Sequence, residues 1–414
     1  MIKTKGVYLI LMTFGTFLGF SKFILYSKLI SVSEFGIYSL VISSYIFFVF
    51  FGGMGLQEGL LKKGSESYAV GDIKTIKAYF LGALAFSIPI TTLAGIILWI
   101  FIKYFLITNY EIVDILGVTA LMVLATILFN LLDAFLRAQQ KFLLFSAALT
   151  LKNSIAICLG YLSATKYGVK GLIIAEIFGL LVPFFVLLIF FIRMKDIKLY
   201  KKNNIWTLIS NGYKLMLTLV LRNIAQFIDR WFIAAALGVI ALGYYSFSMI
   251  ILTISMVLIG FLVTVKGPKW IADFHNNKDI RHLIQDVNKT ILKALACLIL
   301  VAPLLFINIE NILVSFNPNY SKTIVIDIIG VVYLAIFVVV PIYLYDWVFV
   351  ASSQEGTLVK TNLMATVVSI ILYICLWFTS GDILDFAFAF LLIKILILFI
   401  YLKRIRAIYV IQST

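Results

Sequence analysis

The stretch KLMLTLVLRNIAQFIDRWFIAA sets several polar side chains on one face of an otherwise apolar helix. Arg222, Gln226, Asp229 and Arg230 fall at i, i+4, i+7 and i+8, and Asn223 borders them. Arg222 lies close to the middle of the run, too deep to reach water by extending its side chain. Charge inside a lipid-buried run is costly, so such a face turns toward a water-filled cavity or toward other helices. An interhelical network would hold helices together; a cavity wall would meet a ligand. The cavity wall is the preferred reading.

Other apolar runs carry polar groups of their own. Ser146, Thr150 and Asn153 stand at i, i+4 and i+7 with Lys152 near the middle of their run. Asn130, Asp133 and Arg137 form a further stripe, in which Asp133 and Arg137 have the i,i+4 order that favours mutual neutralisation. Lys22 and Lys394 are two more cations inside apolar runs, and Lys293 sits near a run's end, where it can snorkel. Glu176, Asp327 and Asp346 lie near run ends.

Six bases within the apolar runs suggest an anionic ligand. Arginine and lysine hold phosphate oxygens by charge-assisted hydrogen bonds, which strengthen where the dielectric is low. A diphosphate needs several such donors. The expected headgroup set is Arg222, Lys22 and Lys152, supported by Arg230 and Lys394, with Asn223, Gln226 and Asn153 as polar neighbours. Asp229, Asp133 and Glu176 are candidate carriers of H⁺ or Na⁺.

The elements that must position these groups are membrane helices. Hydrophobic residues make up 63% of the 414 and charged residues 13%, with a mean hydropathy of +1.09. A soluble domain has roughly 45–50% and about 25%. Runs long enough to cross a bilayer recur along the whole length. They read as all-α, with twelve helices at roughly 7–27, 38–60, 79–101, 114–136, 142–163, 171–192, 209–234, 241–265, 290–309, 324–347, 362–378 and 383–402. The first run is too long for a signal-peptide core and lacks a small-residue cleavage site, so it reads as a retained helix.

Nothing in the pattern suggests a cofactor. There is no G-x-x-x-x-G-K-[ST] nucleotide loop. Cys158, Cys297 and Cys375 lie in apolar runs without metal-like spacing and read as small buried hydrophobes. His275 and His282 share one polar loop without an acidic or cysteine motif.

Lysine and arginine set the orientation. With both termini in the cytoplasm, inside segments hold 23 of the 34 basic residues, outside loops five, and predicted spans six. The net charge of +15 then faces anionic lipid and requires no nucleic acid. The longest basic loop, RMKDIKLYKKNNIWTLIS, separates six helices from six, dividing the chain into lobes 1–200 and 201–414. Six spans per lobe make the lobes parallel repeats about an axis along the membrane normal. GIYS at 36–39 and GYYS at 243–246, offset by 207 positions, then fall in matching loops between the first and second helices of each lobe. There glycine would allow a tight turn and tyrosine would suit the membrane interface.

The segment SKLISVSEFGIYSLVISSYIFFVFFGGMGLQEGLLKKGSE (21–66) resembles the first signature of Wzx-type polysaccharide flippases, in the multidrug/oligosaccharidyl-lipid/polysaccharide exporter superfamily. Leu29, Phe35, Gly36, Tyr38, Gly55 and Leu56 fit that pattern. DRWFIAAALGVIALGYYSFSMI (229–250) resembles the start of the family's second lobe, and FNPNYSKTIVIDIIG (316–330) its outer loop before helix 10. The resemblance implies a V-shaped pair of six-helix lobes, like that of the multidrug exporters. It implies movement of an undecaprenyl-diphosphate-linked oligosaccharide to the periplasmic leaflet of a bacterial inner membrane by alternating access, for O-antigen, lipopolysaccharide or other surface polysaccharide. Membrane lipids and polysaccharide-assembly proteins are the implied partners. A multidrug exporter of the same superfamily is the alternative, although cationic drugs suit a cavity rich in bases poorly. A multi-span polymerase or glycosyltransferase is another, but every outer loop is short and none pairs carboxylates for acid–base work.

Overall fold

The computed structural model describes residues 2–101, 110–192, 203–277, 279–352, 354–379 and 381–411. The described residues are almost entirely helical. Among the described residues, ten stretches are long and apolar enough to cross a membrane, and two of them, Phe142–Ile189 and Leu215–Gly260, contain 48 and 46 residues. One crossing takes about 20 residues, so these two have the length for two crossings each. Residues exposed on the structure, among them Phe14, Phe178, Leu300, Ile307, Phe378 and Phe399, are the large apolar side chains that a soluble protein would bury. The chain is a multi-pass membrane protein.

The chain divides into two compact units, Met1–Asn223 and Ile224–Thr414. The first contains α1 (Ile2–Leu29), α2 (Val32–Gly53), α3 (Leu56–Ala69), α4 (Ile73–Phe101), α5 (Tyr110–Ala138) and α6 (Phe142–Ile192). It also takes the opening limb of α7 (Asn203–Ser248). The second contains the rest of α7, α8 (Ile250–Asn277), α9 (Ile280–Ile307), α10 (Ile309–Phe316), α11 (Thr323–Ala351), α12 (Glu355–Phe378) and α13 (Ile383–Ile411). The boundary read from the sequence falls within residues 193–202, outside the described residues, and NNIWTLIS is already the first part of α7.

Local chemistry explains the turns. Ser31 caps α2: its hydroxyl accepts from the Glu34 amide, and Glu34 reaches back to the Ser31 amide at 2.9 Å. The long helices α6 and α7 each turn at one glycine with positive φ, Gly168 at 51° and Gly238 at 84°. In the first unit, Leu60, Phe80, Val123, Leu131 and Phe135 build the core between α3, α4 and α5, with Phe80 stacked on Phe135 at 4.5 Å. In the second, α11 packs against α8, α9, α12 and α13.

Several sequence expectations are corrected here. The two Gly-x-Tyr-Ser stretches lie inside helices, α2 and α7, and Tyr38 and Tyr245 are buried instead of facing an interface. The turn of the second stretch is made by Gly238, five residues before its own glycine. Helix 2 ends at Gly53, and the segment read as a loop over 61–78 begins with a separate amphipathic helix, α3, which buries Leu56, Gly59, Leu60 and Gly64. The polar loop holding His275 and His282 is also largely helical, since α8 runs to Asn277 and α9 starts at Ile280. The three cysteines are exposed, not buried; on a membrane helix the apolar outward face is the solvated one.

Candidate functional site

In the first unit, charged groups from α1 and α6 meet. The Lys22 ammonium lies 2.6 Å from Glu176 Oε1 and donates to Oε2 at 2.8 Å, both side chains buried. The Tyr38 hydroxyl donates to Glu176 Oε1 at 3.1 Å. Tyr26 packs edge-on against Tyr38 and donates to the Ala156 carbonyl at 2.7 Å. A cation and a carboxylate to which the sequence assigns separate roles, Lys22 and Glu176, therefore form one ion pair.

The stripe on the first half of α6 faces α1. Asn153 donates to the Gly15 carbonyl at 2.7 Å and Thr150 to the Leu11 carbonyl at 2.9 Å. Gly15 and Gly19 admit these contacts, since a Cβ there would stand 2.7 Å from Thr150 Oγ1 and 2.9 Å from Asn153 Nδ2. Small residues opposite hydrogen-bonding side chains are a common way to join membrane helices. Asp133 and Arg137 form the i,i+4 ion pair read from the sequence.

Lys152 is placed differently. Its ammonium lies over the Phe129 ring at 5.1 Å, and among the described residues no carboxylate comes within ion-pair distance of it. Lys152 lines a cavity of about 300 Å³ in the first unit. Asn130, Thr126, Tyr45, Gln57 and Glu58 bring polar groups to the same space, and Val49, Phe50, Ile127, Met216 and Leu219 supply apolar wall. That mixture, a mostly apolar cleft with a few polar groups and one cation, is the usual make-up of a small-ligand site. Glu58, on α3 and outside the spans, has its carboxyl pushed above the usual carboxylate range by burial, partly offset by a backbone hydrogen bond and by Arg137.

The second unit holds the rest of the polar face of α7. Asp229 is buried; Tyr245 donates to its Oδ2 at 2.5 Å and the Arg230 amide to its Oδ1 at 2.8 Å. The Arg230 guanidinium lies over the Phe227 ring at 4.7 Å, and the Lys394 ammonium over the Phe390 ring at 4.8 Å. Lys394 on α13 is near enough to Asp229 to act on it electrostatically. Arg222 and Asn223 end the first unit; both are half-buried, and Asn223 donates to the Leu219 carbonyl of its own helix at 2.8 Å. Gln226 is exposed. Among the described residues no three His, Cys, Asp or Glu gather as a metal site.

Sequence reasoning missed the tyrosines that hold both buried carboxylates, as well as Thr126, Gln57 and Glu58. The recurrence of Tyr38 as Tyr245 was the available signal.

The polysaccharide biosynthesis protein family matches residues 25–279, more than half of the chain. The chain belongs to this family. No curated sequence matches it. Among solved structures, an inward-facing multidrug resistance MATE family transporter of the MOP superfamily is 14% identical, with a TM-score of 0.77 over 97% of this chain and 98% of that one. Lipid II flippase MurJ, in an inward closed conformation, is 16% identical at 0.75, over 96% and 87%. A MOP superfamily transporter from Pyrococcus furiosus is 14% identical at 0.61, over 96% and 94%. At these identities the likeness establishes the fold, that of the MOP superfamily transporters. This member of the polysaccharide biosynthesis family thus sets its sequence-derived polar groups within that fold, with Lys152 in the cavity and Lys22 in an ion pair.

Proposed function

We propose that the protein carries an undecaprenyl-diphosphate-linked oligosaccharide from the cytoplasmic to the periplasmic leaflet of a bacterial inner membrane, with both termini in the cytoplasm. Movement is by alternating access, for assembly of O-antigen or another surface polysaccharide, upstream of assembly proteins in the same membrane. The observation that carries this reading is the first-unit cavity, where the Lys152 ammonium shares the space with amide, hydroxyl, apolar and Glu58 groups and, among the described residues, has no carboxylate within ion-pair distance. A lysine in that setting favours an anionic group with hydrogen-bonding neighbours, which a diphosphate joined to a sugar supplies. Arg222 of the first unit, and Arg230 and Lys394 of the second, are further proposed substrate-binding cations, and Lys22 pairs with Glu176. Asp229 is the proposed carrier of H⁺ or Na⁺.

The test uses purified protein in liposomes with two substrates, a fluorescent polyprenyl-diphosphate disaccharide and a cationic dye. Transbilayer movement of the first, lost in Lys152→Ala, supports the assignment. Transport of the dye alone identifies a drug exporter and refutes it. Collapsing the H⁺ and Na⁺ gradients in turn should slow the wild type with one of them, and that collapse should leave Asp229→Asn unaffected.

A further inference from the structure

The opening limb of α7 touches Gly55 and α3 more closely than side chains permit. A Cβ on Gly212 would stand 1.9 Å from the Gly55 carbonyl oxygen and 2.6 Å from the Gly59 nitrogen. A Cβ on Gly59 would lie 2.1 Å from the Leu208 carbonyl oxygen, and one on Gly55, at φ +77°, 2.9 Å from the Gly212 carbonyl carbon and the Tyr213 nitrogen. Each is a backbone atom, so no side-chain rotation can relieve the clash. Three glycines are therefore required for α3 and α7 to lie backbone to backbone at this place.

One and two turns further along the same limb, Met216 and Leu219 form part of the wall of the Lys152 cavity, and Gly55 itself lines it. The limb contributes to the cavity through the Met216 and Leu219 side chains, which move with it. Ile205 and Leu208, the limb's buried anchors, join the core with Leu56 and Leu60 of α3. The limb meets α3 through this strip of backbone contact and buries Ile205 and Leu208, while Trp206, Tyr213, Leu215 and Leu217 are exposed.

We propose that residues 203–223 of α7 are a lid over the first-unit cavity, latched to α3 by Gly55, Gly59 and Gly212. The latch is steric and all-or-none: with the glycines in register the limb seats and the cavity closes, and out of register the limb stands off. Arg222 lies on the same limb, so a limb displaced at the latch moves Arg222 with it. The lid is independent of which ligand the cavity takes, so its test needs no substrate.

The test is the rate at which a membrane-impermeant maleimide labels Asn130→Cys, inside the cavity, in protein whose three native cysteines are replaced by serine. Gly212→Ala should speed labelling at least several-fold by lifting the limb. Leu208→Ala, which loosens the same contact without adding a clash, should do so as well. Gly330→Ala, whose added methyl meets nothing within 4 Å, should leave the rate unchanged. Ser87→Cys, fully buried in α4, reports general loosening. Faster labelling of Asn130→Cys with Ser87→Cys still protected supports the lid. No acceleration in either variant, or an equal gain at Ser87→Cys, overturns it.

Discussion

Lys22 in the first unit and Asp229 in the second stand 207 positions apart, the offset that also separates Tyr38 from Tyr245. Each tyrosine is buried and donates to a buried carboxylate, Glu176 in one case and Asp229 in the other. The charge at the matching helix position is reversed. In the first unit the helix supplies the ammonium and α6 the carboxylate, so the site closes on itself as an ion pair. In the second the helix supplies the carboxylate, and among the described residues no cation lies within ion-pair distance of it; a hydroxyl and an amide are its donors. The repeated architecture buries a polar group at the same helix position in both units, and the residue there decides whether it meets an opposite charge or neutral donors.

The comparison breaks most visibly at the ion pair. Glu176→Ala leaves Lys22 buried without a partner and should cost roughly 3–5 kcal/mol, read as a lower unfolding transition in detergent. The double variant Lys22→Met with Glu176→Leu should recover most of that loss, because an apolar pair of similar size needs no compensation. A double variant as unstable as the single one would mean that the pair is not the unit that matters.

The tyrosines sharpen the contrast. Tyr245→Phe removes one of two donors to a carboxylate and should cost about 1.5–3 kcal/mol. Tyr38→Phe should cost about 1 kcal/mol, since Lys22 still compensates Glu176. Equal losses in matched unfolding experiments would show that the two sites are energetically alike.

Glu58 offers a smaller, pH-dependent effect. Burial raises its carboxyl above the unfolded value, so its ionised form disfavours the folded state. Its contribution is favourable below the ordinary carboxylate range and is lost as the pH rises through the raised value. Stability of the wild type should therefore increase relative to Glu58→Gln as the pH falls into the range just above ordinary carboxylates. Parallel pH profiles for the two proteins would contradict this. The smallest effect belongs to the exposed Lys63–Glu66 pair on α3, where Lys63→Ala should shift stability by less than about 1 kcal/mol.

The helices were legible because lipid demands long apolar runs, and any charge within one stands out. That is why Lys22, Lys152, Glu176 and Asp229 were visible as special. Their partners were not, because Lys22 and Glu176 are separated by 154 positions and helical spacing says nothing about which faces meet. Tyr38 and Tyr245 were misplaced for a related reason: an aromatic next to a run's end resembles an interface anchor until the helix is seen to start before it. The glycine latch was present as the run FGGMGLQEGLLKKG, but close approach depends on a partner helix that starts some 150 positions later.

The most direct test of the account is the leaflet in which diphosphate-linked oligosaccharide resides in cells depleted of this protein. Spheroplasts are treated with an impermeant glycosidase, and wild type or Lys152→Ala is returned. The account predicts substrate that is protected after depletion, becomes accessible when wild type returns, and stays protected with Lys152→Ala. Substrate that remains accessible after depletion would contradict it.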